Sequence, residues 1–252
     1  MKERKDKLLN LILPFISVLS IFVLWAVASK EIGSEYILPS VTDTFSALIG
    51  LFKEPSFYAS LLGTLTRSLI AFSISFALAF IFAVLAITFK YFERIIAPVI
   101  SFLRALPTIA VVLLLLFWTN SKVAPVIVTL LVVLPTCYTY IKTAFESVDK
   151  TTVEAGLVDG ANKKQAFLRV TLPQALPAVY SAVGSGFSLN LKLMVAAEVL
   201  SATANSLGYM LNVSKAYFEI ATMIALVVIT VIIGCTIEFL FNALSKKAGK
   251  WK

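Results

Sequence analysis

Five charged side chains lie inside long apolar runs of this chain: Arg67, Arg104, Lys192, Glu198 and Glu238. A charge in the hydrocarbon region of a membrane costs about 2.5–3.5 kcal/mol on insertion scales, so such residues are candidates for function. Lys192 stands beside Asn190, and a cation with a neighbouring amide could hold an anionic or polar solute. The same two groups could equally make an interhelical bond. Arg104 precedes Pro107, which cannot donate to the carbonyl of Leu103, so a kink is expected there. A freed carbonyl beside a cation could line a cavity; the alternative is that Arg104 pairs structurally or reaches to the interface. Glu198 follows Lys192 by a rotation of ~600°, so the two do not share a helix face. Glu198 is therefore expected to pair across helices or at a dimer interface. Arg67, near a span end, is expected to snorkel. Glu238 reads as structural, and Gly184 and Gly186 as points of close helix approach.

What is missing narrows the chemistry. The chain has no histidine and no Gly-x4-Gly-Lys-Ser/Thr phosphate loop. Histidine-based catalysis and a zincin motif are excluded, and the chain is not expected to hydrolyse ATP. A membrane enzyme would need a nucleophile or metal-ligand constellation, which the sequence lacks. A secondary transporter driven by protons or sodium would favour several mid-membrane carboxylates or two inverted repeats with broken helices, and neither is clear.

The elements that carry these residues follow from composition. The 252 residues are 59% hydrophobic and 14% charged, with mean hydropathy +0.92. About 20 helical residues cross the ~30 Å hydrocarbon core. Six spans are expected: Leu8–Ser29, Leu61–Phe89, Ile95–Trp118, Val123–Ile141, Ala178–Leu200 and Ile220–Leu244. They form one all-α integral membrane domain over residues 1–252. With both termini placed in the cytoplasm, 15 of the 22 Lys and Arg fall inside, four outside and three within spans. The net charge of +8 thus reads as topology and contact with the lipid bilayer rather than nucleic acid binding. Cys137 and Cys235 both fall in apolar runs and are expected to be buried. The first span has basic flanks and Ala26-Val27-Ala28, as a cleavable leader would, but its apolar run is too long, so it is read as retained. Outside the membrane, Phe45, Leu48, Ile49 and Phe52 recur at helical spacing and predict an interfacial amphipathic helix. Residues 201–218, rich in Ser, Asn and Gly, form a second outer element.

One cytoplasmic segment, 142–177, is long and polar in an otherwise apolar chain, and long loops in compact proteins are usually functional. Thr151 and Glu154 are spaced to cap a short helix through Glu154, Ala155, Gly156, Leu157 and Val158. Asp159 follows, and Gly160 permits the left-handed turn that stops the helix. A second piece, Lys163 to Val170, carries Ala166, Phe167 and Val170 on one side and is expected to end at Leu172-Pro173 and Pro177. A short helix with an apolar side can lie in a partner's groove.

The order Glu154-Ala155-Gly156, Gly160, Val170, Leu172-Pro173 resembles the loop on which the ATPase docks in permeases of ATP-binding-cassette (ABC) importers. Gly156 stands for a more usual Ala, and Val170 for Ile. Along nearly the whole chain, Ile37-Leu38-Pro39-Ser40, Thr64-Leu65-Thr66-Arg67-Ser68-Leu69, Leu103-Arg104-Ala105-Leu106-Pro107, Val195-Ala196-Ala197-Glu198 and the Gly208 region resemble the nitrate/sulfonate/taurine branch of that family. Some glycines of that branch are missing, as in Ala71-Phe72-Ser73, and Lys192 replaces an apolar or aromatic residue. The resemblance implies a type I importer (MetI-like) fold, a homodimer and a bacterial inner-membrane location. It implies a separate ATPase subunit that binds ATP and Mg, so the chain itself needs no cofactor. It also implies an extracytoplasmic solute-binding protein meeting residues 30–58 and 201–218. The solute would be a sulfonate-, taurine- or nitrate-like anion, or a molecule resembling a thiamine or riboflavin precursor. Arg104, Pro107, Asn190, Lys192 and Glu198 are the candidate pathway residues.

Overall fold

The computed structural model describes residues 2–158 and 160–249, and every regular element among them is helical. The chain divides into two compact units: residues 1–58 with 210–229, and residues 59–209 with 230–252.

The first unit begins with α1, Lys2–Ile32. The expected span Leu8–Ser29 falls within it, although the side chains of residues 8–11, 14 and 15 lie outside the described residues. The Trp25 indole donates to the Pro39 carbonyl (3.0 Å) and the Ser29 hydroxyl to the Leu38 carbonyl (3.1 Å). These bonds pin the Ile37-Leu38-Pro39-Ser40 stretch against α1. Ser40 then caps α2, Val41–Leu51, with Asp43 completing a capping box. The predicted amphipathic helix is thus present, and Phe45, Ile49 and Phe52 are exposed as an interface-lying face requires.

In the second unit, α6 (Ala124–Glu146) and α9 (Leu172–Ser201) form the most extensive helix pair. The core joins them to α3 (Pro55–Thr88) through Phe72, Ala79, Ala83, Ile141, Val179 and Leu191. Gly186 lets this happen: a Cβ there would lie 3.0 Å from the Cys137 sulfur and 3.2 Å from the Phe72 ring. Gly184 does the same against α11 (Ile220–Ala248), where a Cβ would meet Phe241 Cβ at 2.9 Å. Both glycines are packing glycines, as expected. Cys137 is buried, but Cys235 is exposed, contrary to expectation, because it lies on the outward face of α11.

Four helices among the described residues are long and apolar enough to cross a membrane, and a bent pair makes a fifth if counted as one span. That pair corrects the expected kinked span Ile95–Trp118. The chain forms α4, Lys90–Ala105, and then α5, Thr108–Trp118, at 93° to it. Leu106 and Pro107 both adopt extended backbone, with ψ of 125° and 106°. Proline's missing N–H and its exclusion of the α conformation at the preceding residue turn the anticipated kink into a complete break. Pro98, by contrast, is tolerated within α4.

The expected end of the second loop helix at Leu172-Pro173 is also corrected. Helix α8, Lys163–Ala166, passes through a π turn, Phe167–Thr171, directly into α9. Leu172 N–H bonds to the Phe167 carbonyl, one residue further back than in an α-helix. The wider turn makes room ahead of Pro173, whose ring would otherwise press on the preceding turn.

Candidate functional site

Three polar regions emerge from this scaffold, all within the second unit. The first is the loop after α6. Its helix α7, Lys150–Val158, is capped two residues earlier than expected, by Asp149 rather than by Thr151 and Glu154. The Asp149 carboxylate accepts from the Thr151 N–H (3.1 Å) and from the hydroxyls of Thr151 (2.6 Å) and Thr152 (2.8 Å). These donors, the Thr151 hydroxyl first, hold its carboxyl down at about 2, below the ordinary carboxylate value. The signal was in the sequence, since Asp followed by two threonines is a good N-cap.

Helix α7 turns Glu154 and Ala155 to solvent, and Val158 is 86% exposed. Gly156 lies within α7, and Asp159 lies outside the described residues. Gly160 has φ +90°, the left-handed conformation expected of a helix stop. Asn162 then caps α8 in a reciprocal pair with Gln165 (both bonds 2.9 Å). The side of α8 expected to seek a partner's groove instead packs inward. Ala166 is buried, Val170 is half-buried, and the Phe167 ring meets Phe145 of α6 edge-on at 5.6 Å. Leu172 is half-buried and Pro173 exposed. Behind α7 lies a 250 Å³ depression lined by Ile87, Phe145, Val148, Val153, Glu154 and Thr171.

The second region surrounds Glu198, which is fully buried at the far end of α9. Arg67 Nε donates to Glu198 Oε1 at 2.8 Å, and the Thr64 hydroxyl donates to Oε2 at 2.7 Å. The Gly208 N–H points at the same Oε2 from 3.5 Å. Thr64 in turn accepts from the Leu207 N–H (2.9 Å), and Arg67 Nη2 donates to the Asn205 carbonyl (2.9 Å). The anticipated cross-helix partner of Glu198 is therefore Arg67. The expectation that Arg67 snorkels is overturned, because its side chain is 15% exposed and held in an ion pair. The return between α9 and α10 (Leu207–Ala216) is fastened twice more. Thr203 Oγ donates to the Ser121 carbonyl (2.6 Å), and Ser206 Oγ accepts from the Tyr209 N–H (2.8 Å). Thr64 and Asn205 were not identified from sequence. Thr64 and Arg67 stand one helical turn apart, which is a signal, but nothing local names their partner.

The third region is a 520 Å³ groove between α6 and α9, lined by Thr139, Tyr140, Thr143, Ser147, Ser181 and Ser185. Arg104 donates to Thr139 at its edge, and Ser185 donates to Glu238 (3.0 Å), which gives Glu238 its structural role. The candidate pathway residues do not converge. Asn190 is buried and donates to the Ser68 carbonyl of α3 (2.9 Å), whereas Lys192, two residues on, is exposed on the other side of α9. A rotation of ~200° separates them.

With this geometry in view, residues 75–250 match the family described as the binding-protein-dependent transport system inner membrane component. The taurine transport system permease protein TauC of Escherichia coli (strain K12) is 22% identical over 91% of this chain and 85% of its own length. The formylaminopyrimidine transport permease protein ThiX of Halalkalibacterium halodurans is 29% identical over 66% of each chain. Among solved structures, a chain of the bacterial alginate ABC transporter in complex with its pentasaccharide-bound periplasmic protein superposes with TM-score 0.67 at 17% identity. It covers 98% of this chain and 96% of that one.

Proposed function

The chain belongs to the binding-protein-dependent transport system inner membrane component family, and from that premise we propose how this permease subunit couples and what it carries. The observation that carries the reading is α7, a locally capped helix with Glu154, Ala155 and the apolar Val158 turned outward. Helix α7 is the proposed seat of a separate ATPase subunit. The π turn at 167–171 joins α8, which follows α7 after the Gly160 turn, without interruption to α9, so displacement of α7 by the ATPase would pass through α8 to a membrane-crossing helix. Differential contact of α7 with the ATP-bound and ATP-free partner is what would shift the equilibrium between conformations.

In this reading α1 supplies the sixth span, both termini are cytoplasmic, and two copies enclose the pathway. The α6–α9 groove, with its threonine and serine hydroxyls, is the proposed pathway wall. An extracytoplasmic solute-binding protein delivers a small solute to the outer segments. That solute is a sulfonate- or taurine-like anion, or a pyrimidine-type precursor, in keeping with the names of the two relatives. Glu154→Lys and Gly160→Pro are expected to abolish ATP-driven uptake and ATPase co-purification while the chain still inserts. Normal uptake by either variant would remove α7 from the mechanism. Uptake that collapses with an ionophore at constant ATP would favour a secondary transporter instead.

A further inference from the structure

Helix α4 does not run with the bundle. Helix α5 packs along α6 and α9, with Val112, Val128 and Ala197 in one buried cluster, and α4 stands at 93° to α5. Two contacts with α6 give the same orientation. Glu93 pairs with Lys142 (2.9 Å), and Arg104 bonds to Thr139. From residue 93 to residue 104 α4 advances roughly 16 Å, while from 142 to 139 α6 moves only about 4.5 Å. Helix α4 therefore crosses α6 about one turn from the end where the α7 loop begins.

This crossing helix has three faces. Ile96 and Ile100 are buried against the core. Tyr91, Ile95, Val99 and Phe102 form a second stripe that is apolar and exposed, with Tyr91 at 78% and Ile95 at 68%. Lys90, Arg94, Ser101 and Arg104 form a third, exposed and basic, about 130° round from the apolar stripe. Lys90 and Arg94 form no ion pair among the described residues, and Arg104 is engaged by Thr139 alone. A solvated surface does not call for the apolar stripe, and the hydrocarbon core does not accommodate the basic one. The boundary between acyl chains and headgroups suits both, and a basic stripe there fits negative charge.

We propose that α4 lies in the plane of the cytoplasmic leaflet and binds anionic phospholipid headgroups through Lys90 and Arg94, with Tyr91, Ile95, Val99 and Phe102 among the acyl chains. The inference rests on the reading of the α7 end as cytoplasmic. It adds a lipid-contacting brace that shares α6 with the ATPase-docking loop. Through the Glu93–Lys142 pair, the headgroup layer would hold α6 next to the point where α7 departs.

The test uses the full chain with its ATPase, reconstituted in phosphatidylcholine vesicles with and without phosphatidylglycerol. Nitroxide labels at I95C and F102C in a C137A/C235A background report depth by their accessibility to oxygen and to a polar nickel chelate. Equal, shallow depths are expected. Depths differing by about 10 Å would make α4 part of a span, and labels shielded from both reagents would mean that protein covers the face; either result overturns the proposal. Wild type is expected to prefer spin-labelled phosphatidylglycerol to phosphatidylcholine. K90Q/R94Q should lower that preference about fivefold for each cation removed, and K246Q/K247Q should leave it unchanged. Equal preference in K90Q/R94Q and wild type would overturn the headgroup assignment. ATPase co-purification from the same preparations is scored separately, so loss of the partner marks failure of the permease reading and not of this one.

Discussion

The loop around α7 and the return around Glu198 are both polar segments of an apolar chain, yet they are held in opposite ways. At α7 and α8 each capping bond joins residues two or three positions apart, as in Asp149 to Thr151 and Asn162 to Gln165. Around Glu198 the bonds to Thr64 and Arg67 join residues 134 and 131 apart, and Leu207 reaches Thr64 across 143. A helix that carries its own cap can move as a body without losing its capping bonds. A return stitched to two helices moves only with both of them. The difference separates a part suited to transmit motion from a part suited to hold the start of α3 and the end of α9 together.

The largest break in that comparison should come from Arg67→Ala. It leaves the buried Glu198 carboxylate without its counter-ion and should cost about 3–5 kcal/mol of stability, read as a fall in thermal midpoint in detergent. Glu198→Ala should cost less, because Arg67 keeps a route to water. The double variant should fall short of the sum of the two. Full additivity would mean the pair is not coupled.

Gly208→Ala tests the closeness of the stitch. A Cβ there would sit 2.4 Å from Glu198 Cβ and 2.6 Å from the Val199 nitrogen, so backbone must shift. The expected loss is about 1–3 kcal/mol in the same unfolding assay.

On the other side, Gly160→Ala places a side chain at φ +90° with no atom in its way, so the cost is backbone strain alone, about 1–2 kcal/mol. That cost should fall on the local loop. Protease cleavage between α7 and α8 should rise and ATPase co-purification should weaken, with the global midpoint little changed. A global loss as large as that of Arg67→Ala would erase the distinction between the regions.

The smallest effect concerns pH. The Asp149 carboxyl is held down at about 2, so its contribution to the α7 cap is complete above the ordinary carboxylate value near 3.8 and is lost as pH falls through about 2. Pepsin cleavage within α7 should therefore rise between pH 4 and pH 2 in wild type. In Asp149→Ala it should be high throughout, while the return around Glu198 stays protected in both proteins.

Local chemistry was legible. Gly160 as a helix stop, the amphipathic helix α2, the packing glycines and the family resemblance all follow from residue types at fixed short spacings, because dihedral preference, periodicity and capping act within one or two turns. The corrections have two causes. Asp149 and Thr151 both lie within reach of the same helix start, and the choice between two such caps is a local one. The prolines are a different matter: from sequence Pro107 predicts a kink and Pro173 a stop. The chain instead broke at the first and accommodated the second with a π turn, since the outcome at each proline depends on what packs around the freed carbonyl.

The sequence by itself determined that this is a helical membrane permease subunit, because apolar length, charge bias and the spacing of the α7 loop are properties of the chain alone. Tertiary structure decided that Arg67 rather than solvent meets Glu198, that Asn190 and Lys192 part company, and that α4 lies across α6 instead of beside it. Each of those outcomes depends on which distant helix comes within about 3 Å of a side chain, and a one-dimensional pattern does not contain that distance.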